Sequence, residues 1–106
     1  MANTRAMGAT AERKIVGYYR SLGYDTFNPM ETRFSARLPF GDFLAFNEMD
    51  VLLVEAKKNR RAFRWPKLTE EAKVIDKYPF GIEVCYLEGK DFKRFYWDGD
   101  SEWVET

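Results

Sequence analysis

The sequence predicts a mixed α/β fold in which one central mixed β-sheet is flanked by helices. Three observations carry this prediction: two segments with apolar residues at helical spacing, several short apolar or alternating runs bounded by turn residues, and the order of these segments. The order is helix, three strands, helix, strand, with an extra terminal strand or hairpin, which is typical of a sheet covered by helices. We expect a single domain over residues 1–106, because no linker, repeat or low-complexity tract interrupts the chain.

The chain begins with an aperiodic arm and an amphipathic helix. Residues 1–7 show no periodicity, so we expect a short flexible arm. A helix is predicted over residues 9–22, because apolar side chains recur there at helical spacing and Gly23 supplies a natural stop. The residues that define this spacing are Ala11, Ile15, Val16, Tyr19 and Leu22.

Three strands are predicted next. Residues 24–28 indicate a short strand ended by Pro29, after which the chain is polar and irregular. Two apolar runs, residues 42–46 and 51–55, are separated by four turn-forming residues and predict a β-hairpin.

The second half predicts one helix and a set of strands. Apolar spacing places a helix over residues 67–77, followed by a buried strand over residues 80–88. Apolar and polar residues alternate sufficiently over residues 92–97 to predict another strand, and a short terminal strand should contain Trp103.

Composition excludes several classes of protein. The chain has no histidine and one cysteine, so histidine-based triads, intrachain disulfides and thiolate-only zinc sites are ruled out. Cys85 is best interpreted as a small core residue of a buried strand. The longest aliphatic run, Val51 to Val54, is far too short for a membrane span, and we expect a protein of the reducing cytoplasm, in a prokaryotic cell or in the host cell of a virus.

The net charge is zero, but its distribution along the chain is uneven. Residues 1–67 carry a net charge of +5 and residues 68–106 one of −5. Residues 57–67 are basic and aromatic without any acid, which suits phosphate contact with base or sugar stacking. A solvated basic loop is the competing interpretation. The side chains predicted to contact nucleic acid here are Lys58, Arg60, Arg61, Arg64, Trp65 and Lys67.

A second group of candidate contacts lies in the irregular connection before the hairpin. Arg33 and Arg37 offer an alternative path for a polyanion, and Ser35 is a candidate phosphate contact. For Ser35, an ordinary role in a turn is the competing interpretation.

The hairpin predicts a charged constellation. If the turn is centred between residues 48 and 49, Asp42 lies opposite Glu55, and their carboxylates can converge on one divalent cation. Lys57 follows two residues later and should point to the same side. Two anionic ligands and an ammonium group suit metal-assisted attack of water on a phosphodiester. The alternative is an ordinary surface ion pair, which the apolar hairpin and the adjacent basic segment disfavour.

Three segments carry a resemblance to a known family. The stretches GATAERKIVGYYRSLGY, FGDFLAF and VLLVEAKK together resemble the Holliday junction resolvase-like nucleases of archaea, viruses and phages, within the PD-(D/E)XK, or restriction endonuclease-like, superfamily. The resemblance covers roughly residues 5–60. It implies the αβββαβ core of that superfamily and a dependence on Mg²⁺ or Mn²⁺.

The resemblance also implies roles for single residues. Glu12 corresponds to the first-helix glutamate, Asp42 to the metal aspartate, and Glu55 and Lys57 to the E-x-K pair. Ala56 would lend its backbone carbonyl to the metal, with Glu12 contributing directly or through a water. Glu12 shares a helix face with apolar residues, so its charge should need a partner, although a favourable interaction with the helix dipole is a competing account.

These observations favour a metal-dependent endonuclease that hydrolyses phosphodiester bonds of branched DNA in recombination or repair. Two alternatives stay open: a nuclease acting on duplex, nicked or single-stranded DNA in repair or restriction, and a non-catalytic nucleic-acid-binding protein on the same fold. The expected partners are DNA and a second copy of the chain, with no membrane and no nucleotide cofactor. The homodimer follows from the resemblance and from the aromatic C-terminal segment, unless those aromatic residues cover the sheet of the fold itself.

Overall fold

The computed structural model of the protein describes residues 4–29 and 38–106, and for residues 4–9 it describes the backbone alone. Within the described residues, two α-helices, a short 3₁₀ helix and six strands follow one another. Their bounds are α1 Thr4–Ser21, β1 Asp25–Phe27, β2 Phe43–Phe46, β3 Val51–Lys57, the 3₁₀ helix Arg60–Ala62, α2 Trp65–Ile75, β4 Gly81–Glu88, β5 Asp91–Trp97 and β6 Trp103–Glu105. Each predicted helix and strand is therefore present, with ends displaced by a few residues.

The six strands form one mixed sheet in the order β1-β2-β3-β4-β5-β6. Strands β3 and β4 are parallel, and every other neighbouring pair is antiparallel. The parallel pair requires a crossover, and α2 supplies it. The predicted α/β class, with a central mixed sheet and helices, is confirmed.

Helix α1 is longer than the sequence predicted but ends where expected. It begins at Thr4, so residues 4–7 are helical and the predicted flexible arm over residues 1–7 is wrong for that part. At its C-terminus Gly23 has a φ of 98° and its N–H donates to the Arg20 carbonyl, while the Tyr24 N–H donates to the Tyr19 carbonyl. This left-handed glycine cap satisfies carbonyls that would otherwise lack partners.

The two helices cover opposite faces of the sheet. On one face, buried side chains of α1 pack against those of β2, β3 and β4: Ile15, Val16, Tyr19, Phe43, Ala45, Leu52, Val54, Ala56 and Cys85. On the other face, α2 packs on the alternate residues of the same strands: Leu53, Leu68, Ala72, Ile75, Ile82, Val84 and Tyr86. Because side chains alternate along a strand, Glu55 and Lys57 belong to the α2 face and Ala56 to the α1 face.

The aromatic residues of the C-terminal segment pack within the fold. Phe92 stacks on Tyr18 with ring centroids 4.3 Å apart, and Trp97 is 7% exposed. Trp103 contacts Trp97 at 5.3 Å, edge to face. Covering the sheet therefore accounts for most of these rings, and the aromatic excess does not by itself argue for a dimer.

A buried polar network joins α1 to the sheet. Glu83 in β4 is 4% exposed and accepts hydrogen bonds from Tyr19 Oη at 2.7 Å and from Arg94 Nη2 at 2.9 Å. The Arg94 Nε also donates to Glu83, and the guanidinium lies 5.1 Å from the centre of the Tyr19 ring. Burial is the main cause that raises the pKa of Tyr19, so its hydroxyl stays a hydrogen-bond donor.

Among the described helices, none combines the length and the apolar content that crossing a membrane requires.

Candidate functional site

The β2–β3 hairpin places the predicted acid pair at one end of the sheet. Its four residue pairs run from Phe43 with Val54 to the turn, which confirms the predicted register. Asp42 directly precedes β2 and donates its N–H to the Val54 carbonyl, so it is displaced by one position from the expected place opposite Glu55; burial and, next, the charge of the nearby Asp42 raise the pKa of Glu55. The two carboxylates therefore meet where β2 begins and β3 ends.

Glu55 and Lys57 lie on the α2 face and form an ion pair. Their Oε1 and Nζ atoms are 3.3 Å apart, and the side chains are 15% and 39% exposed, respectively. The ammonium group thus keeps access to solvent while the carboxylate is largely covered. The predicted common direction of the two side chains is confirmed.

Asp42 is held by the backbone of β3. Its N–H donates to the Val54 carbonyl at 2.7 Å, and its Oδ2 accepts from the Ala56 N–H at 2.8 Å. The carboxylate takes the place of a strand partner beyond the end of β2, so it is fixed in the plane of the sheet. One carboxylate oxygen is engaged in this way, which leaves the lone pairs of the other oxygen for a cation.

The Ala56 carbonyl points to the same side as Asp42. The N–H and C=O of one strand residue face the same neighbouring strand, and the Ala56 N–H faces Asp42. The Ala56 oxygen is therefore directed toward the space that Asp42 borders. This arrangement is compatible with the predicted role of that carbonyl as a metal ligand.

Gly41 permits this close approach. It has a φ of 77°, and a Cβ atom at this position would lie 2.4 Å from the Val54 carbonyl oxygen and 2.9 Å from the Glu55 nitrogen. Any larger residue would push the chain away from β3. A glycine directly before Asp42 is thus what lets Asp42 reach the Ala56 N–H.

Replacing Gly41 with alanine is expected to destabilise the fold and displace Asp42. Gly89 is a matched control, because its φ is also positive, at 62°, but a Cβ atom there would meet nothing within 4 Å. Gly89→Ala should cost about 1–2 kcal/mol in the free energy of unfolding, and Gly41→Ala about 1–3 kcal/mol more because of overpacking. Urea denaturation of both variants measures the difference, and equal losses would show that contact with β3 does not matter.

The two carboxylates share an environment that disfavours their charges. Burial raises the pKa of Asp42, opposed by the hydrogen bond from Ala56 and by the charge of Lys57. Burial, followed by repulsion from Asp42, raises the pKa of Glu55 from 4.5 to about 7, although Lys57 opposes the shift. Two partly desolvated acids that repel each other form a site that a cation would stabilise.

Metal-free Glu55→Gln protein is expected to be more stable than wild type at high pH. Because burial raises the pKa of Glu55 to about 7, the folded state binds more protons than the unfolded state between pH 4.5 and 7. Stability from this group is therefore present at low pH and is lost as pH rises. The variant should gain as much as about 3 kcal/mol at pH 8 and almost nothing at pH 4.5.

Urea denaturation in a chelating buffer from pH 4.5 to 8 measures this difference. Glu70→Gln is the control, because the Glu70 side chain is 78% exposed. If the free energy of unfolding of Glu55→Gln depends on pH in the same way as that of the wild type, the surroundings of Glu55 do not raise its pKa.

Glu12 lies at the same end of the sheet but on the α1 side. Its Oε2 accepts a hydrogen bond from the Asn28 Nδ2 at 3.2 Å, and Asn28 is 5% exposed. Asn28 follows β1, and the β1–β2 register carries it to the level of Phe43. The prediction that Glu12 turns toward the protein is confirmed, and Asn28 is a partner that the sequence did not reveal.

The described side chains offer two acidic metal ligands rather than three. Within residues 4–29 and 38–106, no three acidic or cysteine side chains converge into a group that could hold a metal ion. Glu12 is therefore not grouped with Asp42 and Glu55. Two carboxylates and one carbonyl are a small but chemically suitable set for Mg²⁺, which commonly keeps several waters.

The basic segment after β3 is an ordered turn. Asn59 caps the 3₁₀ helix, and its Oδ1 accepts from the Ala62 N–H at 3.0 Å. Arg60, Arg61 and Arg64 are exposed, and none of them forms an ion pair with any acid that the structure describes. Lys58 is half-buried. A row of unpaired cations beside the acid pair favours a polyanionic ligand.

Trp65 packs among other aromatic side chains. Its ring lies 5.2 Å from Phe63, 5.5 Å from Phe95 and 6.0 Å from Trp103, measured between centroids. The side chain is half-buried against the α2-face core. These contacts give Trp65 a packing role, and base stacking by this residue stays a prediction.

A pocket of about 300 Å³ opens on the α2 face beside Glu55. Glu55 and Lys57 line it together with Arg64, Lys67 and Glu71. Glu71 also raises the pKa of Glu55 through its charge, and its Oε1 lies 3.9 Å from the Lys67 Nζ. Glu71 is not among the residues that the sequence predicted for the site. The signal was its position one helical turn after Lys67, which turns both residues to the same side of α2.

Three predicted contacts, Arg33, Ser35 and Arg37, lie outside the described residues.

A comparison with protein-family models gave no match, and a comparison with curated proteins likewise gave none.

Proposed function

We propose that the protein is a divalent-metal-dependent endonuclease that hydrolyses phosphodiester bonds of branched DNA. The observation that carries the proposal is the end of the β2–β3 hairpin. There Asp42 accepts a hydrogen bond from the Ala56 N–H, and Glu55, whose pKa is raised by burial and by the charge of Asp42, lies 3.3 Å from Lys57. Clustered buried charges of this kind are costly unless a ligand compensates them.

The topology is compatible with a restriction endonuclease-like core. The order of α1, β1 to β3, α2 and β4, with β3 parallel to β4, is that of an αβββαβ arrangement. Glu55 and Lys57 lie at the carboxyl end of β3, on the strand that leads to the crossover helix, and Asp42 directly precedes β2. Catalytic residues at the end of a rigid strand are held more precisely than residues on a loop.

Asp42, Glu55 and the Ala56 carbonyl would hold the cation, and Glu12, which accepts a hydrogen bond from Asn28, would act only through a water. Bound Mg²⁺ or Mn²⁺ would neutralise phosphate charge and lower the pKa of water. Lys57 lies within reach of the same space, where its ammonium group can stabilise the negative charge that develops on the attacked phosphate. Asp42 and Glu55 would orient the attacking water and the phosphodiester through the cation. Because water is the nucleophile, no covalent bond to the protein is required.

The exposed cations of residues 58–67 would hold the DNA backbone on the same side of the molecule. Residues 68–106 carry a net charge of −5, so the part of this half beyond the start of α2 should face away from the DNA. A homodimer would bring two such sites to one branched substrate. Exposed apolar side chains at the opposite end of the sheet, among them Met49, Val51 and Phe80, offer a contact surface whose use light scattering can test.

One cleavage assay tests the proposed function directly. Four-way, flapped, duplex and single-stranded DNA of matched sequence are incubated with the protein, with and without Mg²⁺. Cleavage that depends on Mg²⁺ and is fastest on branched forms supports the proposal. Faster cleavage of duplex or single-stranded DNA would show that branched DNA is not the preferred substrate. Cleavage of none of the four DNA forms would reject the proposed nuclease activity.

The double variant Arg60→Ala, Arg61→Ala is expected to bind all DNA forms more weakly. If each arginine contacts one phosphate, the slope of log affinity against log salt should become shallower by nearly two, at about 0.9 per contact on duplex DNA. The position of the cut should not change, because phosphate contacts do not read bases. Fluorescence anisotropy over a salt series measures the slope.

The matched control replaces Lys73 and Lys77 with alanine. Both lie at or beyond the C-terminal end of α2, away from the acid pair, and both are exposed. This control should keep the wild-type slope. If the arginine variant also keeps it, the basic segment is a solvated turn and the DNA path lies elsewhere.

A further inference from the structure

The pocket beside the acid pair has three chemically different parts. Glu55 and Lys57 form the wall shared with the proposed catalytic site. The apolar floor includes Phe63 and Leu68, each 7% exposed. The remaining wall is charged and belongs to the start of α2. A volume of about 300 Å³ is at the small end of the range for sites that bind small molecules.

The floor of the pocket is rigid. Phe63 contacts the Tyr86 ring edge to face at 5.6 Å, and its N–H donates to the Arg60 carbonyl at 3.2 Å. The 3₁₀ helix before it is capped by Asn59. The apolar surface is therefore formed in advance by the core and the ordered turn, and a ligand would not have to organise it.

The rim provides cations that can grip an anion. Arg64 is exposed and forms no ion pair with an acid in the described part of the chain, and the Lys67 side chain is 71% exposed. Lys67 is 3.9 Å from Glu71, a long contact that an incoming phosphate can replace. An arginine and a lysine one turn apart on a helix start are well placed to hold one phosphate between them.

The acids of the pocket narrow the choice of ligand. Glu55 and Glu71 would repel a simple anion that filled the pocket, so an anion must remain at the rim near Arg64 and Lys67. The rest of the ligand must be uncharged, must cover Phe63 and Leu68, and should offer a donor to Glu71. A nucleotide has this combination: a phosphate, an apolar ring face, and amino or hydroxyl donors.

We propose that this pocket binds one nucleotide of the cleaved strand, next to the phosphodiester that Lys57 would contact. Its phosphate lies between Arg64 and Lys67, and its base or sugar covers the apolar floor. The inference rests on the proposed function and specifies its substrate: a nucleotide can enter the pocket only if it leaves the base stack. Strands with an unpaired nucleotide beside the cut are therefore preferred to intact duplex.

The experiment measures nucleotide binding without cleavage. Deoxycytidine 5′-monophosphate is titrated into wild-type protein in a chelating buffer and followed by amide chemical shifts. We expect saturable shifts confined to residues 55–71, with at least tenfold weaker binding of inorganic phosphate and of deoxycytidine at equal ionic strength. Equal affinities for the nucleotide and inorganic phosphate would overturn the inference, because the apolar floor would then contribute nothing.

Two variants distinguish specific binding in the pocket from general attraction by the positive charge of the protein. Arg64→Ala should weaken deoxycytidine 5′-monophosphate binding about tenfold, whereas Arg13→Ala, which removes an exposed arginine of α1 that does not line the pocket, should leave it unchanged. Equal losses in both variants would reduce the effect to general electrostatics and overturn the inference.

The outcome is distinguishable from failure of the proposed function. Nucleotide binding that depends on Arg64, in a protein that cleaves no DNA, would uphold the pocket and reject the nuclease. Mg²⁺-dependent cleavage without such binding would uphold the nuclease and overturn the pocket.

Discussion

Replacing Asp42 with asparagine is expected to lower Mg²⁺-dependent cleavage by about a thousandfold or more. The change removes the charge of the carboxylate that lies against the Ala56 backbone. Charge stabilisation by a bound cation contributes several kcal/mol to such reactions, and about 4 kcal/mol corresponds to a factor of about a thousand. Rates under single-turnover conditions with saturating protein measure the loss without a contribution from binding.

The fold of the Asp42→Asn protein should be preserved. An asparagine oxygen can still accept the hydrogen bond from the Ala56 N–H, so the end of the hairpin keeps its geometry. With Ca²⁺ in place of Mg²⁺, much of the DNA affinity should remain, because the exposed cations of residues 58–67 are unchanged.

Asp50→Asn is the matched control for this prediction. Asp50 is an exposed residue in the turn of the same hairpin, and its backbone groups bond with Asn47. The control makes the same chemical change at the far end of the two strands and should cleave at the wild-type rate. Metal-dependent cleavage by Asp42→Asn at a similar rate would exclude Asp42 from the site.

Replacing Arg94 with leucine is expected to produce the largest loss of stability. Glu83 is 4% exposed and receives two hydrogen bonds from Arg94 and one from Tyr19. Without Arg94 a carboxylate stays buried with a single tyrosine donor. Removing one partner of a buried ion pair costs about 3–5 kcal/mol. Thermal and urea denaturation should show this loss, while the acid pair on the other face of the sheet keeps its geometry.

A double-mutant cycle separates the pair from its parts. If the loss in Arg94→Leu comes from an unpaired buried charge, replacing Glu83 with glutamine in the same protein should restore much of the stability. Lys93→Leu is the surface control, because its ion pair with Glu105 has side chains 36% and 53% exposed and should contribute below about 1 kcal/mol. Additive losses at Arg94 and Glu83 would show that the network is not coupled.

The sequence by itself determined the elements and the register of the hairpin. Apolar spacing located both helices, and alternation or apolar runs located the strands, because these patterns are local and repeat within a few residues. The register that pairs Phe43 with Val54 followed from the length of one turn. The common direction of Glu55 and Lys57 followed from the pleat of one strand.

The sequence was less informative about side chains whose surroundings come from distant segments. Trp65 lies in a basic, aromatic segment whose composition suits stacking on bases. In the structure its ring packs against Phe95 and Trp103 instead. The aromatic C-terminal segment suggested an interface, but its rings cover the sheet. An apolar or aromatic side chain has the same sequence signature in both situations, because the difference lies in which distant element covers it.

Only the tertiary structure decided how the candidate site is built. Asp42 reaches the Ala56 N–H because Gly41 lies against β3, and Glu71 approaches Glu55 because α2 packs on that face. The buried bond from Tyr19 to Glu83 joins residues 64 positions apart. Such contacts depend on the packing of whole elements, which fixes burial and therefore the energy of each charge, and no local pattern in the chain encodes them.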